Sequence, residues 1–417
     1  MGFRRNFVAL GAALALVGSA TPTGVAQRTP SWRAQVADLL QRRGSAVVAG
    51  DRGAFDASMA RAPAAFRAAK DTWFARVREL PLASYSIELD DEGYEDLVSA
   101  LPRRPVADEV HAVQAIQHLA LRGLDDRPTS DALYLTVARY GSTWSIVSDS
   151  DLDDLGLQSA RDIGDFAPIS IVRSGGVMVL THGSTSVART IANGVRAAIA
   201  YDRAHWPYRV PDSAVVEIPR SSSELTRILS DPIDLGPFVA FTVSSADTHA
   251  ATFRLVGTRI FIQPETYFAN PPSYQRDTLS HEMIHYASHM LTGEFGPAWT
   301  DEGIAQLYGE RGSHPTSELR AAVRRGLDSL PIDADFSVGG RDSIHVAYEA
   351  AYTFMTYLRA RFGSAAPARF YRALGAENPV SFGSARYHAD HAARAVFALP
   401  FDSLERGWIA MLRKELG

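Results

Sequence analysis

The chain has 417 residues, with 42 Lys and Arg against 47 Asp and Glu, and it contains no cysteine. This balance, with a sequence pI of about 6.2, argues against a protein that binds nucleic acid through bulk positive charge. The absence of cysteine excludes thiolate catalysis, zinc–thiolate sites, iron–sulfur clusters and disulfide scaffolds.

Residues 1–26 have the pattern of an export signal. Two arginines near the start precede an apolar run over 7–20, which is shorter than the roughly 20 residues of a membrane-spanning helix. Small residues at Gly24 and Ala26 predict cleavage after Ala26, with cleavage after Ala20 or retention as an anchor as the alternatives. We therefore expect a periplasmic or extracellular protein, exported by the general secretory or the twin-arginine route, with no stable membrane span after removal of the signal.

Residues 27–168 predict an α+β accessory domain. Helical periodicity at 32–43 and at 55–74, interrupted by Pro63, is followed by alternating strand patterns. The pattern, with its last hairpin strand at 143–148, resembles the cystatin-like fold of nuclear transport factor 2 and SnoaL-type proteins. Such domains form cone-shaped pockets, but the sequence presents no catalytic constellation here, and a packing or partner-binding role is expected.

Three aspartates at alternating positions, Asp149, Asp151 and Asp153, follow that hairpin. A calcium-binding EF-hand loop would need a glycine directly after the third acid and a glutamate at its twelfth position. Asp154 and Ala160 stand there instead. We therefore expect a solvated turn.

Residues 169–417 predict a second domain that begins with a small sheet and becomes almost wholly helical. Strand patterns at 177–180, 214–218 and 238–243 and a helical pattern at 187–205 lead to Gly257-Thr258, which predicts the turn of a hairpin.

The main chemical signal is His281-Glu282-x-x-His285, which lies in a helical pattern. Histidines four residues apart project from one face of a helix and can bind one metal ion. Glu282 is then within reach of a water molecule at the metal. A pair of core histidines without a metal is the alternative.

Glu302 is the candidate for the third protein ligand that a catalytic zinc site needs. Gly296-Pro297 allows the chain to turn back before a second helix, whose first turn would present Glu302 to the metal. A metzincin would have its third histidine where Leu291 stands. His289 is four residues beyond His285, and three ligands at this spacing spread over more than about 11 Å of helical rise, too far for one ion. His289 is therefore expected next to the ligands or at the surface.

The strings His281-Glu282-x-x-His285 and Trp299-x-x-Glu302-Gly303 resemble the peptidase MA-like gluzincins, which include thermolysin-like and aminopeptidase-N-like zinc peptidases. The resemblance covers about residues 175–417. It implies one Zn²⁺ per chain held by the two histidines and Glu302, with Glu282 as the general base. Thermolysin-like enzymes often carry a supporting aspartate where Gln306 stands, so that support must be weaker or come from elsewhere.

A later stretch, His345-Val346-Ala347-Tyr348-Glu349, resembles the helix that begins with a Tyr-Glu pair in aminopeptidase-N-like enzymes. In that family the tyrosine donates a hydrogen bond to the oxyanion, which implies this role for Tyr348. Tyr352, His345 and a purely packing role for Tyr348 are the alternatives. The exopeptidase motif of the Gly-Ala-Met-Glu-Asn type does not occur, so aminopeptidase specificity is not implied.

The sequence thus predicts an α+β protein with a cystatin-like domain followed by a gluzincin catalytic domain. Its expected function is zinc-dependent hydrolysis of a peptide or protein substrate by a zinc-activated water, with the strand at 238–243 as the candidate edge of the cleft. The alternatives are a non-catalytic binding protein on a peptidase scaffold and a metallohydrolase of a non-peptide amide. The oligomeric state is left open.

Overall fold

The computed structural model describes residues 31–417 apart from 94, 105, 230–234, 236–237, 247–254, 293–295, 313–316 and 376–383. The predicted export signal, residues 1–26, lies outside the described residues. Contacts divide the described chain into two compact units: residues 31–166 with 227–229, and the remainder from Ala167. No helix in the described part of the chain is both long and apolar enough to cross a membrane.

The first unit contains helices and a four-stranded antiparallel sheet with the strand order β1-β2-β3-β4. Its main elements are α1 (Trp32–Ala49), α2 (Arg52–Ala57), α3 (Ala64–Val77), β1 (Leu82–Gly93), β2 (Glu109–Leu121), β3 (Thr129–Tyr140), β4 (Thr143–Ser148) and α4 (Ile163–Phe166). Ser31 and Asp51 cap α1 and α2 by accepting backbone N–H hydrogen bonds. Pro63 stands directly before α3, where the helical pattern is interrupted.

One face of this sheet packs against helices α1–α3 and forms the core of the first unit. Alternate strand residues point to this face because side chains alternate along a strand. The strand residues are Tyr85, Ile87, Val113, Ala115, Leu135, Val137, Trp144 and Ile146, and the helices contribute Val36, Leu40, Phe55, Trp73 and Phe74 among others.

The prediction of a solvated turn after β4 is wrong. Asp149 is 8% exposed, and its carboxylate forms ion pairs with Lys70, at 2.7 Å, and with Arg161. Asp151 pairs with Arg104 at 2.8 Å. The partners come from distant parts of the sequence, so the local acidic pattern did not reveal that these carboxylates are compensated.

The second unit combines a five-stranded mixed sheet with a mostly helical C-terminal part, as predicted. Its elements are β5 (Ser170–Ser174), β6 (Gly176–Thr181), α5 (Thr185–His205), β7 (Ser213–Ile218), α6 (Ser222–Leu229), β8 (Ala240–Ala246), β9 (Leu255–Ile262), α7 (Pro264–Tyr267), α8 (Pro272–Thr292), α9 (Ala298–Gly309), α10 (Ser317–Arg324), α11 (Arg341–Phe362), α12 (Ala366–Gly375), α13 (Ala385–Phe397) and α14 (Phe401–Leu416).

The strand order of this sheet is β5-β6-β7-β9-β8, which places β8 at one edge. Strands β6, β7 and β9 are parallel, and β8 runs antiparallel to β9. The predicted hairpin turn at Gly257-Thr258 is wrong, because β9 continues through both residues. The register shifts between the pairs Val243–Arg259 and Ser245–Val256, and Gly257 has a φ of 58°. The glycine therefore accommodates a β-bulge and not a turn.

Two glycines allow the fully buried helix α9 to approach its neighbours closely. A Cβ on Gly303 would lie 2.8 Å from the carbonyl oxygen of Ala351 on α11. A Cβ on Gly309 would lie 2.8 Å from the backbone nitrogen of His281 on α8. Because real Cβ atoms do not come this close to backbone atoms, a larger residue at either position would push the helices apart. These contacts bring α8, α9 and α11 together around the predicted site.

Candidate metal centre

Helix α8 places the two histidines of the motif on one face. The imidazole centroids of His281 and His285 are 4.8 Å apart, and their Nε2 atoms are 3.1 Å apart. Both residues lie within the helix, one turn from each other, so their separation follows from helical geometry.

Glu302 reaches the same point from α9. Its Oε2 atom is 3.1 Å from Nε2 of His281 and 3.5 Å from Nε2 of His285. Zinc bonded at about 2.0–2.1 Å in a tetrahedral arrangement requires ligand atoms about 3.3 Å apart. The three donor atoms therefore have both the chemistry and the spacing that suit this ion. Among the described residues, this is the one group of three acidic or imidazole side chains close enough to hold a metal.

Protonation of the two imidazoles differs because their partners differ. Burial lowers the pKa of His285 to about 4, so its imidazole is neutral at neutral pH and has one ring nitrogen with a free lone pair. Burial alone would also lower the pKa of His281, but hydrogen bonds to the carboxylates of Glu302 and Glu310 raise it to about 10. A metal cation at this point would therefore replace a proton on His281.

Glu310 was not identified from the sequence. Its Oε1 atom lies 2.8 Å from Nδ1 of His281, on the ring nitrogen that faces away from the ligand group. A carboxylate in this position holds the imidazole in one orientation and one tautomer. Gly309 explains the contact, because its close approach to α8 delivers the next residue to His281. Glu310 thus supplies the support that Gln306 does not provide.

Glu282 is buried beside the three-residue group and is not part of it. Thr242, on the edge strand β8, donates a hydrogen bond to its Oε2 atom at 2.7 Å. Burial raises the pKa of Glu282, which makes its carboxylate a stronger base than that of a solvated glutamate. Thr242 falls in the strand predicted to border the cleft, but nothing in the sequence pattern marked it as a partner of Glu282.

Tyr348 faces the same group from α11. Its hydroxyl is hydrogen-bonded to Glu302, and its ring packs edge-on against Phe336 with centroids 5.2 Å apart. Burial raises its pKa well above the usual range, so the hydroxyl keeps its proton and can donate. Of the alternatives, His345 is exposed, and Tyr352 is partly buried against the same hydrophobic core as Tyr348.

His289 is buried at 2% exposure, so its expected alternative position at the surface is wrong. Its ring centroid is 5.7 Å from that of His285. It does not belong to the three-residue group, as the helical rise predicts.

No protein-family model matches the chain, and no curated protein matches it either. The solved structures similar to it include an M1 zinc metallopeptidase mutant from Deinococcus radiodurans, bound to a Tyr-Ser-Ala substrate. That similarity has a TM-score of 0.32 and 12% sequence identity, and it covers 78% of this chain and 69% of the other.

We expect the purified protein to bind one zinc ion per chain through His281, His285 and Glu302. Removal of one ligand atom should abolish stable binding, so His285→Ala and Glu302→Ala should lose zinc. Metal content by mass spectrometry of the purified proteins measures this. His345→Ala changes an exposed histidine and should retain the metal. Full zinc occupancy in both ligand variants would contradict the assignment.

We expect Glu310→Gln to weaken zinc binding without changing the ligand atoms. Loss of the carboxylate that orients His281 should raise the zinc dissociation constant by about 10- to 100-fold. Competition with a calibrated chelator measures that constant. Glu318→Gln, which changes a partly exposed acid on α10 outside the three-residue group, serves as the control. An unchanged constant in Glu310→Gln would show that the contact at Nδ1 has no part in metal binding.

Proposed function

We propose that the chain is an exported zinc-dependent metallopeptidase of the gluzincin type. One observation carries the proposal: His281, His285 and Glu302 converge from two helices with separations that suit zinc, and the carboxylate of Glu282 lies beside them. Export is inferred from the sequence pattern of residues 1–26.

In the proposed reaction the chain's own residues move the protons. Zinc, when bound, supplies a Lewis acid that polarises the scissile carbonyl and lowers the pKa of water. Glu282 accepts the proton of the attacking water and passes it to the leaving amine. The hydrogen bond from Thr242 holds the carboxylate of Glu282 in one orientation, which keeps it in place for both transfers.

Tyr348 is proposed to stabilise the oxyanion. Its hydroxyl lies at Glu302, within the electrostatic reach of Glu282, and retains its proton. A donor fixed beside the reacting carbonyl stabilises the charge that develops on the oxygen in the transition state.

The position of strand β8 favours a peptide over a small amide as the substrate. It pairs with β9 on one side and with no other described strand, and its Thr242 contacts Glu282. An extended peptide that adds to this edge would form backbone hydrogen bonds beside the site. We also infer that the first unit is a cystatin-like accessory domain, which is supported by its helices packed on one face of a four-stranded antiparallel sheet.

Glu282→Gln tests the general base. The amide keeps the size and the hydrogen bond to Thr242 but cannot accept the proton of water, so turnover should fall at least about 100-fold while zinc stays bound. Hydrolysis of casein, peptide libraries and small amides measures turnover and substrate class together. Glu265→Gln changes an exposed acid and should leave hydrolysis unchanged. Wild-type turnover in Glu282→Gln would remove Glu282 from this role, and no hydrolysis by wild type would favour a binding protein.

Tyr348→Phe tests the oxyanion donor. The ring still packs against Phe336 and no metal ligand is lost, so the Michaelis constant and the zinc content should barely change. Turnover should fall about 100- to 1000-fold, the effect of removing one oxyanion donor. Tyr352→Phe, one helical turn further along α11, is the control and should be mild. The reverse order of effects would assign the role to Tyr352.

A further inference from the structure

The first unit contains a pocket that the proposed peptidase chemistry does not use. It lies between helices α1 and α3 and the core face of the sheet. Part of its wall is apolar and is formed by Phe66, Ile87, Leu133, Leu135 and Ile146. The rest carries charged side chains from α1, α3 and the segment 149–165. An apolar wall with a few polar groups is typical of small-molecule sites.

Four of the charged side chains in this wall compensate one another. Asp149 pairs with Lys70 at 2.7 Å and with Arg161, and Lys70 also lies 3.4 Å from Asp165. The two cations and two carboxylates cancel in charge. The carboxylate of a fifth residue, Asp162, accepts hydrogen bonds from Nε1 of Trp73 at 2.9 Å and from the backbone nitrogen of Gly164 at 2.7 Å. The four paired groups are accounted for as structural contacts, whereas Asp162 has two hydrogen-bond donors but no ion pair among the described residues.

Arg43 is not compensated in this way. It is 6% exposed, and its guanidinium stacks on the Phe55 ring with 3.9 Å between Cζ and the ring centroid. Its hydrogen-bond acceptor among the described residues is the Ser58 hydroxyl, at 2.6 Å. The carboxylates of Asp149 and Asp56 attract the guanidinium electrostatically, but neither forms a direct ion pair with it. Burial lowers its pKa to about 10, so the group remains charged at neutral pH. A guanidinium has five N–H donors, and burying most of them without an acceptor is costly.

We propose that this pocket binds a small molecule with one carboxylate and an apolar body, with Arg43 receiving the carboxylate. The planar fork of a guanidinium matches a carboxylate through two parallel hydrogen bonds. The apolar wall then covers the body of the ligand. A doubly charged phosphate is a poorer match, because Arg43 offers a single positive charge and the other two cations of the wall are already paired with Asp149 and Asp165.

Two kinds of molecule share this chemistry: simple organic acids and apolar α-amino acids. An amino acid brings an ammonium group in addition, for which the Asp162 carboxylate, without an ion-pairing cation of its own, is the available acceptor. The probes are therefore 3-phenylpropanoate, L-phenylalanine and the neutral 3-phenylpropanamide, which has the same size and shape as the first.

The test is calorimetric titration of the full-length chain with the three probes, up to about 10 mM. We expect at least one acid to bind, and the neutral amide to bind at least about 10-fold more weakly than 3-phenylpropanoate or not at all. Tighter binding of L-phenylalanine than of 3-phenylpropanoate would identify the ligand class as amino acids, and the reverse order as simple acids. No binding by either acid, or equal binding of the acid and its amide, overturns the proposal.

Arg43→Met tests whether the acids bind at this pocket. The methionine side chain fills a similar volume without the charge, so the affinity for the acids should fall at least about 10-fold. Arg42→Met, which changes an exposed arginine next to it on α1, is the control and should bind the acids as wild type does.

Ala160→Phe narrows the pocket without removing a charge and should abolish binding of all probes. This variant tests the proposal even where Arg43→Met does not fold. Wild-type affinity in either pocket variant, with a cooperative thermal transition, overturns the assignment.

Discussion

The close approach of two helix backbones at Gly309 is the constraint on which the candidate metal centre depends. A Cβ at this position would meet the backbone of Ser280 and His281 at 2.8 Å, so α8 and α9 can pack at this distance only where one of them has no side chain. The contact places Glu302 and Glu310 on the two ring nitrogens of His281. Gly303 has the same effect towards α11 and brings Tyr348 to Glu302.

Burial gives this site its chemistry. The same desolvation that lowers the pKa of His285 raises that of Glu282, so the imidazole stays neutral and the neighbouring carboxylate is made more basic. Burying either side chain in a hydrophobic core without a full set of hydrogen-bond partners lowers the stability of the fold. Side chains that lower stability in this way are typical of functional sites. A bound cation would compensate the negative charge of Glu302.

The two units use buried charge differently. At the candidate metal centre a carboxylate and two imidazoles point at one another, an arrangement that a shared proton or cation stabilises. In the first unit, Asp149 and its two cations form a closed set, whereas Arg43 is left with a hydroxyl as its acceptor. In each unit, a buried charged side chain that lacks some of its partners indicates a ligand, whereas the number of charged side chains does not.

Features that depend on short separations along the chain could be predicted from the sequence alone. Residues 281 and 285 lie on one helical face whatever surrounds them, Pro63 stands directly before α3, and the order of helices and strands follows from apolar periodicity.

Where a local pattern suits two structures, tertiary contacts select one of them. Residues 110–121 suit a helix or a strand, and become β2 because β1 and β3 pair with them on both sides. Gly257 was predicted in a hairpin turn and instead lies at a bulge, because β9 pairs with β7 on one side and β8 on the other. The contacts of Glu310, Thr242 and Arg43 could not be predicted from the sequence either. Hydrogen bonds between residues that are distant in the chain depend on how the helices and strands pack, and that packing produces no periodic pattern in the sequence.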